Sequence, residues 1–134
     1  MLRLEGLSCG YGPMQAVQGL DLEVTERGIT ALLGANGAGK SSTIMCIAGH
    51  VRVHEGRVIY KGEDITHFSP VERVKNGIAI VPEGRRLFSR LTVKENLIVG
   101  GYIRPKDHTG SGMDSVLNIF PRLAERLGQS AGIC

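Results

Sequence analysis

Gly34-Ala35-Asn36-Gly37-Ala38-Gly39-Lys40-Ser41 fits the pattern G-x-x-x-x-G-K-[ST], a loop that cradles phosphate groups. Its flanks supply the context such a loop needs. Ile29-Thr30-Ala31-Leu32-Leu33 before it is an apolar run that predicts a buried strand. Ser42-Thr43-Ile44-Met45-Cys46-Ile47-Ala48 after it has apolar residues at helical spacing, and Gly49 predicts the helix stop. The residue types follow from the ligand's chemistry. A triphosphate needs many donors and little bulk. Gly34, Gly37 and Gly39 allow a tight turn that brings N–H groups to phosphate oxygens. The positive end of the following helix points at the same anion. Lys40 adds a full charge at the β- and γ-phosphates, and the Ser41 hydroxyl takes one position on Mg²⁺.

Composition narrows the class. At 134 residues the chain has the length of one domain, and 42% apolar residues supply a core that must be aliphatic, since Trp is absent. A net charge of +3, with scattered basic residues and no interleaved aromatic platform, argues against a nucleic-acid partner. Cys9, Cys46 and Cys134 lack C-x-x-C spacing and predict reduced thiols rather than disulfides or zinc. His50, His54, His67 and His108 are dispersed and read as surface or loop residues. No apolar run reaches the ~20 residues of a membrane span, and no leader pattern opens the chain. A cytoplasmic protein is expected, held at a membrane only through a partner.

Along the chain, Leu2, Leu4 and Leu7 alternate with polar residues and predict a half-buried strand. Gly10 to Pro13 predicts a turn, and Val17, Leu20, Leu22 and Val24 a second strand, together an antiparallel N-terminal sheet. Tyr11 at that turn is either a partly exposed turn aromatic or a ring that stacks on a nucleotide base. Glu55 to Ile65 predicts a strand, a glycine turn and a return strand. Ser69-Pro70-Val71-Glu72 is a helix-start signature, and that helix stops at Asn76-Gly77. Ile78-Ala79-Ile80-Val81 predicts a second buried parallel strand, which makes the fold α/β. Glu83 follows at its carboxyl end, where ligands of open parallel sheets bind, and is either a second contact to Mg²⁺ or a solvated loop carboxylate. Thr92-Val93-Lys94-Glu95 is another capping box, Arg104 to Gly112 predicts a mobile loop, and Met113 to Phe120 fits one helical face.

Four features in order resemble the ATP-binding subunits of ABC transporters: Gly10-Tyr11-Gly12, Gly34 to Ser41, Val81-Pro82-Glu83, and Leu91-Thr92-Val93-Lys94-Glu95-Asn96-Leu97. Val81 to Phe88 is most similar to the second ATPase subunit of branched-chain amino acid importers, and the resemblance covers residues 1–132. It implies an incomplete P-loop NTPase core of ABC type with an N-terminal antiparallel β-subdomain. Residues 1–83 would form the β-subdomain and P-loop core, and 84–134 the start of a helical subdomain. It implies that Tyr11 stacks on adenine, that Gly34, Ala35, Asn36, Gly37, Ala38, Gly39, Lys40, Ser41 and Ser42 hold the phosphates of ATP, and that Ser41 and Glu83 attend Mg²⁺. Glu83 stands where most of the family carries Gln. Implied partners are transmembrane permease subunits and a second ATP-binding subunit, with the chain peripheral on the inner face of the membrane. The resemblance implies a branched-chain amino acid as cargo, with urea or an exported lipid as alternatives.

The same resemblance marks what residues 1–134 do not contain: the family's signature motif, the Walker B strand with its catalytic Glu, and the switch His. Ser130-Ala131-Gly132 resembles the lead-in to the signature. The chain is therefore expected to be little more than half of an ATPase domain, with open sheet edges, marginal stability and no hydrolysis of its own. A non-hydrolysing nucleotide-binding remnant is the competing expectation.

Overall fold

The computed structural model describes residues 1–105 and 108–133. The chain divides into two units, Met1–Ile80 and Val81–Cys134.

The first unit is built on four antiparallel strands in the order β2-β1-β3-β4. These are β1 (Leu2–Tyr11), β2 (Met14–Val24), β3 (Arg52–Tyr60) and β4 (Glu63–Asp64). Alternation sets the register: Leu4 pairs with Leu22 on one side and Val58 on the other. Leu4, Leu7, Val58 and Ile65 point into the core and are almost wholly buried. Each contributes about 1.5–3 kcal/mol by leaving water. Helix α1 (Lys40–Ile47) packs on this sheet through Thr43 and Cys46. The first strand is longer than its sequence pattern indicates. Gly10 and Tyr11 belong to β1 and pair with Gln15 and Met14, so the turn shrinks to Gly12-Pro13. Helix α2 (Pro70–Lys75) starts in the box anticipated for it: the Glu72 N–H donates to the Ser69 hydroxyl, and the Ser69 N–H to the Glu72 carboxylate.

The two apolar runs read as parallel strands differ from expectation. Neither 29–33 nor 78–81 pairs in a sheet among the described residues. A strand closes its edge hydrogen bonds only with a paired neighbour, and among the described residues neither run forms such a pair. Ile29, Leu33 and Val81 are fully or nearly fully exposed. Thr30, Leu32, Ile78, Ala79 and Ile80 line an apolar cleft of about 230 Å³ against α1.

The second unit contains α3 (Val93–Gly100), α4 (Thr109–Ile119), α5 (Pro121–Ala124) and a 3₁₀ turn at Ala131–Ile133. The Thr92 capping box forms as anticipated. Residues 88–94 are tied to the unit's last residues: the Val93 N–H donates to Gln129 O, the Ala131 N–H to Leu91 O and the Ser130 hydroxyl to Ser89 O. Part of the stretch expected as a mobile loop is helical, because α4 already begins at Thr109. Lys106, Asp107 and Cys134 lie outside the described residues.

Candidate functional site

The loop 34–39 runs into the first turn of α1, with Gly39 at the cap position. Gly39 has φ 91°, in the left-handed region, and a Cβ there would sit 2.8 Å from Ala16 O and 2.9 Å from a Val17 methyl. Glycine is thus required twice, for the backbone angle and for the approach of the loop to β2. Gly34 to Ala38 are exposed, as is Ser41. The opening N–H groups of a helix have no partner in the preceding turn. Here they face a solvent-open loop, the arrangement in which helix ends hold anions.

Lys40 folds back over the loop. Its ammonium donates to Gly34 O and, at 2.7 Å, to Ala35 O. The loop's own carbonyls thus hold the charge that a phosphate would otherwise attract. The first turn is fixed from below: the Thr43 hydroxyl donates 2.8 Å to Gly39 O, and Thr43 itself is buried. A second tie runs from β1, where the Cys9 thiol contacts Ser42 O at 3.9 Å.

Tyr11 is 56% exposed at the end of β1. Cys9 pairs with Val17 and Tyr11 with Met14, so the hairpin end carrying Tyr11 is the end of the sheet that Gly39 touches. Tyr11 and the phosphate loop therefore share one end of the first unit. Glu83 belongs to the second unit and is exposed. Among the described residues no group of three or more His, Cys, Asp or Glu side chains is placed to hold a metal. The Ser41 hydroxyl is an exposed hard oxygen donor in the first turn of the loop's helix, which suits a Mg²⁺ held chiefly by phosphates and water.

The sequence profile of the ABC transporter family matches residues 17–131. The chain belongs to the ABC transporter family. Among members of this family, the high-affinity branched-chain amino acid transport ATP-binding protein BraG of Pseudomonas aeruginosa is 45% identical over 98% of the chain and 57% of its own length. A probable branched-chain amino acid transport ATP-binding protein, LivF of Archaeoglobus fulgidus, is 36% identical over 98% of the chain and 56% of its own length. An ATP-binding cassette of an ABC transporter, solved in its ADP conformation, superposes with a TM-score of 0.83 at 26% identity. That match covers 98% of the chain and 57% of the solved one. The chain thus spans a little over half the length of the family members it matches. No helix among the described residues is long and apolar enough to cross a membrane.

One residue at the rear of α1 escaped the sequence reading. Arg73 is 2% exposed, and its guanidinium makes four hydrogen bonds to backbone carbonyls. The sequence offers no signal for it, because in the pattern of α2 it is one more basic residue of the last turn.

Proposed function

We propose that this chain is the ATP-binding portion of an ABC importer for branched-chain amino acids, and that it holds Mg·ATP at the loop 34–42. The observation that carries the reading is the exposed loop 34–38 leading into α1, with Lys40 poised over it. An entering phosphate takes the place of Gly34 O and Ala35 O as the partner of Lys40. That exchanges two neutral acceptors for a charged one, with a gain of roughly twofold per hydrogen bond. The N–H groups of Gly37, Gly39 and the first turn of α1 hold the β- and γ-phosphates. Ser41 would give its hydroxyl oxygen to Mg²⁺, which would neutralise phosphate charge when bound. Tyr11 offers its ring to adenine. The likeness to BraG and LivF supports the cargo class, with permease subunits and a second ATP-binding subunit as partners and a peripheral position at the inner face of the membrane.

Titration of the purified chain with a fluorescent ADP analogue and Mg²⁺ tests the site. Saturable binding is expected, lost in Lys40→Ala and weakened several-fold in Tyr11→Ala, with no steady-state ATP turnover. Absence of binding in the unaltered chain sinks the reading, and turnover that Lys40→Ala abolishes overturns the expectation of binding without hydrolysis. Co-expression with the permease subunits of a branched-chain amino acid importer tests the partners, since a subunit of that assembly co-purifies with them.

A further inference from the structure

A buried guanidinium is normally matched by a carboxylate. Arg73 has none. Its Nε donates 3.1 Å to Phe68 O, its Nη1 2.9 Å to both Cys46 O and Ile47 O, and its Nη2 2.8 Å to Thr66 O. Cys46 and Ile47 end α1, where unsatisfied carbonyls and the negative end of the helix dipole gather. Thr66 and Phe68 belong to a short segment fastened to β3: the Val58 N–H donates 2.9 Å to the Thr66 hydroxyl, and the Ile65 N–H 2.9 Å to Val58 O. One planar fork therefore joins the rear of the phosphate-loop helix to the central sheet.

The approach is close. Gly49, at φ 87°, ends α1, and a Cβ there would lie 3.0 Å from Arg73 Nε and 3.1 Å from its Cδ. The Gly49 N–H shares Cys46 O with Arg73, and the His50 N–H takes Met45 O, so the helix end and the guanidinium form one network. The other flank of α1 is open, with Ile44 45% exposed beside the unpaired runs 29–33 and 78–81. α1 packs on the sheet through Thr43 and Cys46, and the four-point tie at its rear adds a fixed point that bears on where its front end lies.

We propose that Arg73 is a positioning residue of the nucleotide site: it fixes the axial placement of α1, and through it the Lys40 ammonium and the loop N–H groups, without touching nucleotide. This rests on the reading of loop 34–42 as the phosphate site, and it extends that reading to a residue on a different helix. A lysine keeps the charge but not the fork, and as a point donor it cannot reach four carbonyls at once.

The test uses the 134-residue chain with Arg73→Lys, and Arg73→Met as the second variant. Two quantities are read: affinity for a fluorescent ADP analogue with Mg²⁺, and amide hydrogen exchange, segment by segment, without nucleotide. Arg73→Lys is expected to weaken binding about ten- to a hundredfold, the scale of a displaced binding group. Exchange in 37–47 should quicken while β1 and β3 keep their protection. Unaltered affinity in Arg73→Lys overturns the proposal. So does a loss of protection spread evenly over β1, β3 and α1, which marks a purely global role. If the unaltered chain binds no nucleotide, the phosphate-site reading fails, and exchange alone decides: quickening confined to 37–47 in both variants supports the positioning role, and none overturns it.

Discussion

Cys46 shows how burial at a single residue becomes a dependence on pH. It is fully buried in α1, and burial, reinforced by the neighbouring Cys9, pushes its thiol from an ordinary 9.0 up to about 12. Between those values the unfolded chain has released this proton and the native chain keeps it. The native state then binds more protons, so stability is complete below about pH 9 and is lost as pH rises, by at most about 1.4 kcal/mol per unit. The urea midpoint of the protein should fall from about pH 8 to about pH 10.5 more steeply than that of Cys46→Ala; equal slopes defeat the assignment. A thiol held protonated is also a poor nucleophile. Cys46 should therefore react with a thiol reagent only as fast as the chain unfolds, checked by comparing labelling with unfolding rates. At this scale Lys40, Gly39 and Ser41 were legible in the sequence, because the phosphate loop is a local pattern with its chemistry written in eight consecutive residues. Arg73 and the Cys9–Cys46 contact were not, since each depends on segments that meet only in the fold.

Elements with local instructions formed where their sequences placed them. Thr92 and Glu95 are the clearest pair: the Glu95 N–H donates 3.2 Å to the Thr92 hydroxyl, and the Thr92 N–H 2.7 Å to the Glu95 carboxylate. Thr92→Ala removes the cap of α3 and should cost about 1 kcal/mol at neutral pH, measured by urea unfolding. The Thr92 backbone N–H and then its hydroxyl hold the Glu95 carboxyl below its usual 4.5. Its contribution is present above that value and lost as pH falls through the depressed one. The helix signal assigned to α3 should accordingly decline in acid, and Glu95→Gln should flatten that decline; an unchanged acid response in Glu95→Gln shows the cap is not its source. The runs 29–33 and 78–81 show the opposite case. Their β-branched, apolar composition marks them as strands buried on both faces. A strand, unlike a capped helix, closes its hydrogen bonds only with partners far away in sequence. The residues predict strands, and among the described residues neither run forms one. Helix α4 began earlier than its glycines suggested because propensity is a weak prior against the packing of the apolar face from Met113 to Ile119.

For the molecule as a whole, the unpaired runs set its behaviour in solution. In the first unit Ile29 and Leu33 stand in water, while Thr30, Leu32, Ile78, Ala79 and Ile80 line the apolar cleft, Ala79 being itself exposed. Burying one such Ile or Leu side chain in a second copy is worth about 1.5–3 kcal/mol, which acts against the cost of association. Backbone N–H and C=O groups along the same runs that no strand partners add a template for edge-to-edge pairing. A net charge of +3 opposes this only feebly at physiological salt. The purified chain should therefore self-associate at micromolar concentration, with onset read by light scattering over a dilution series. Ile29→Lys with Ala79→Lys places charge on both runs without touching the buried core, and should raise the onset concentration at least tenfold while leaving the circular dichroism unchanged. Charge alone also improves solubility. The matched control is Gln15→Lys with Gln18→Lys, two exposed positions on β2 that add the same charge away from the runs. If that control raises the onset as far, the association is set by net charge. If only the first pair does, it is set by the two runs that pair with no strand.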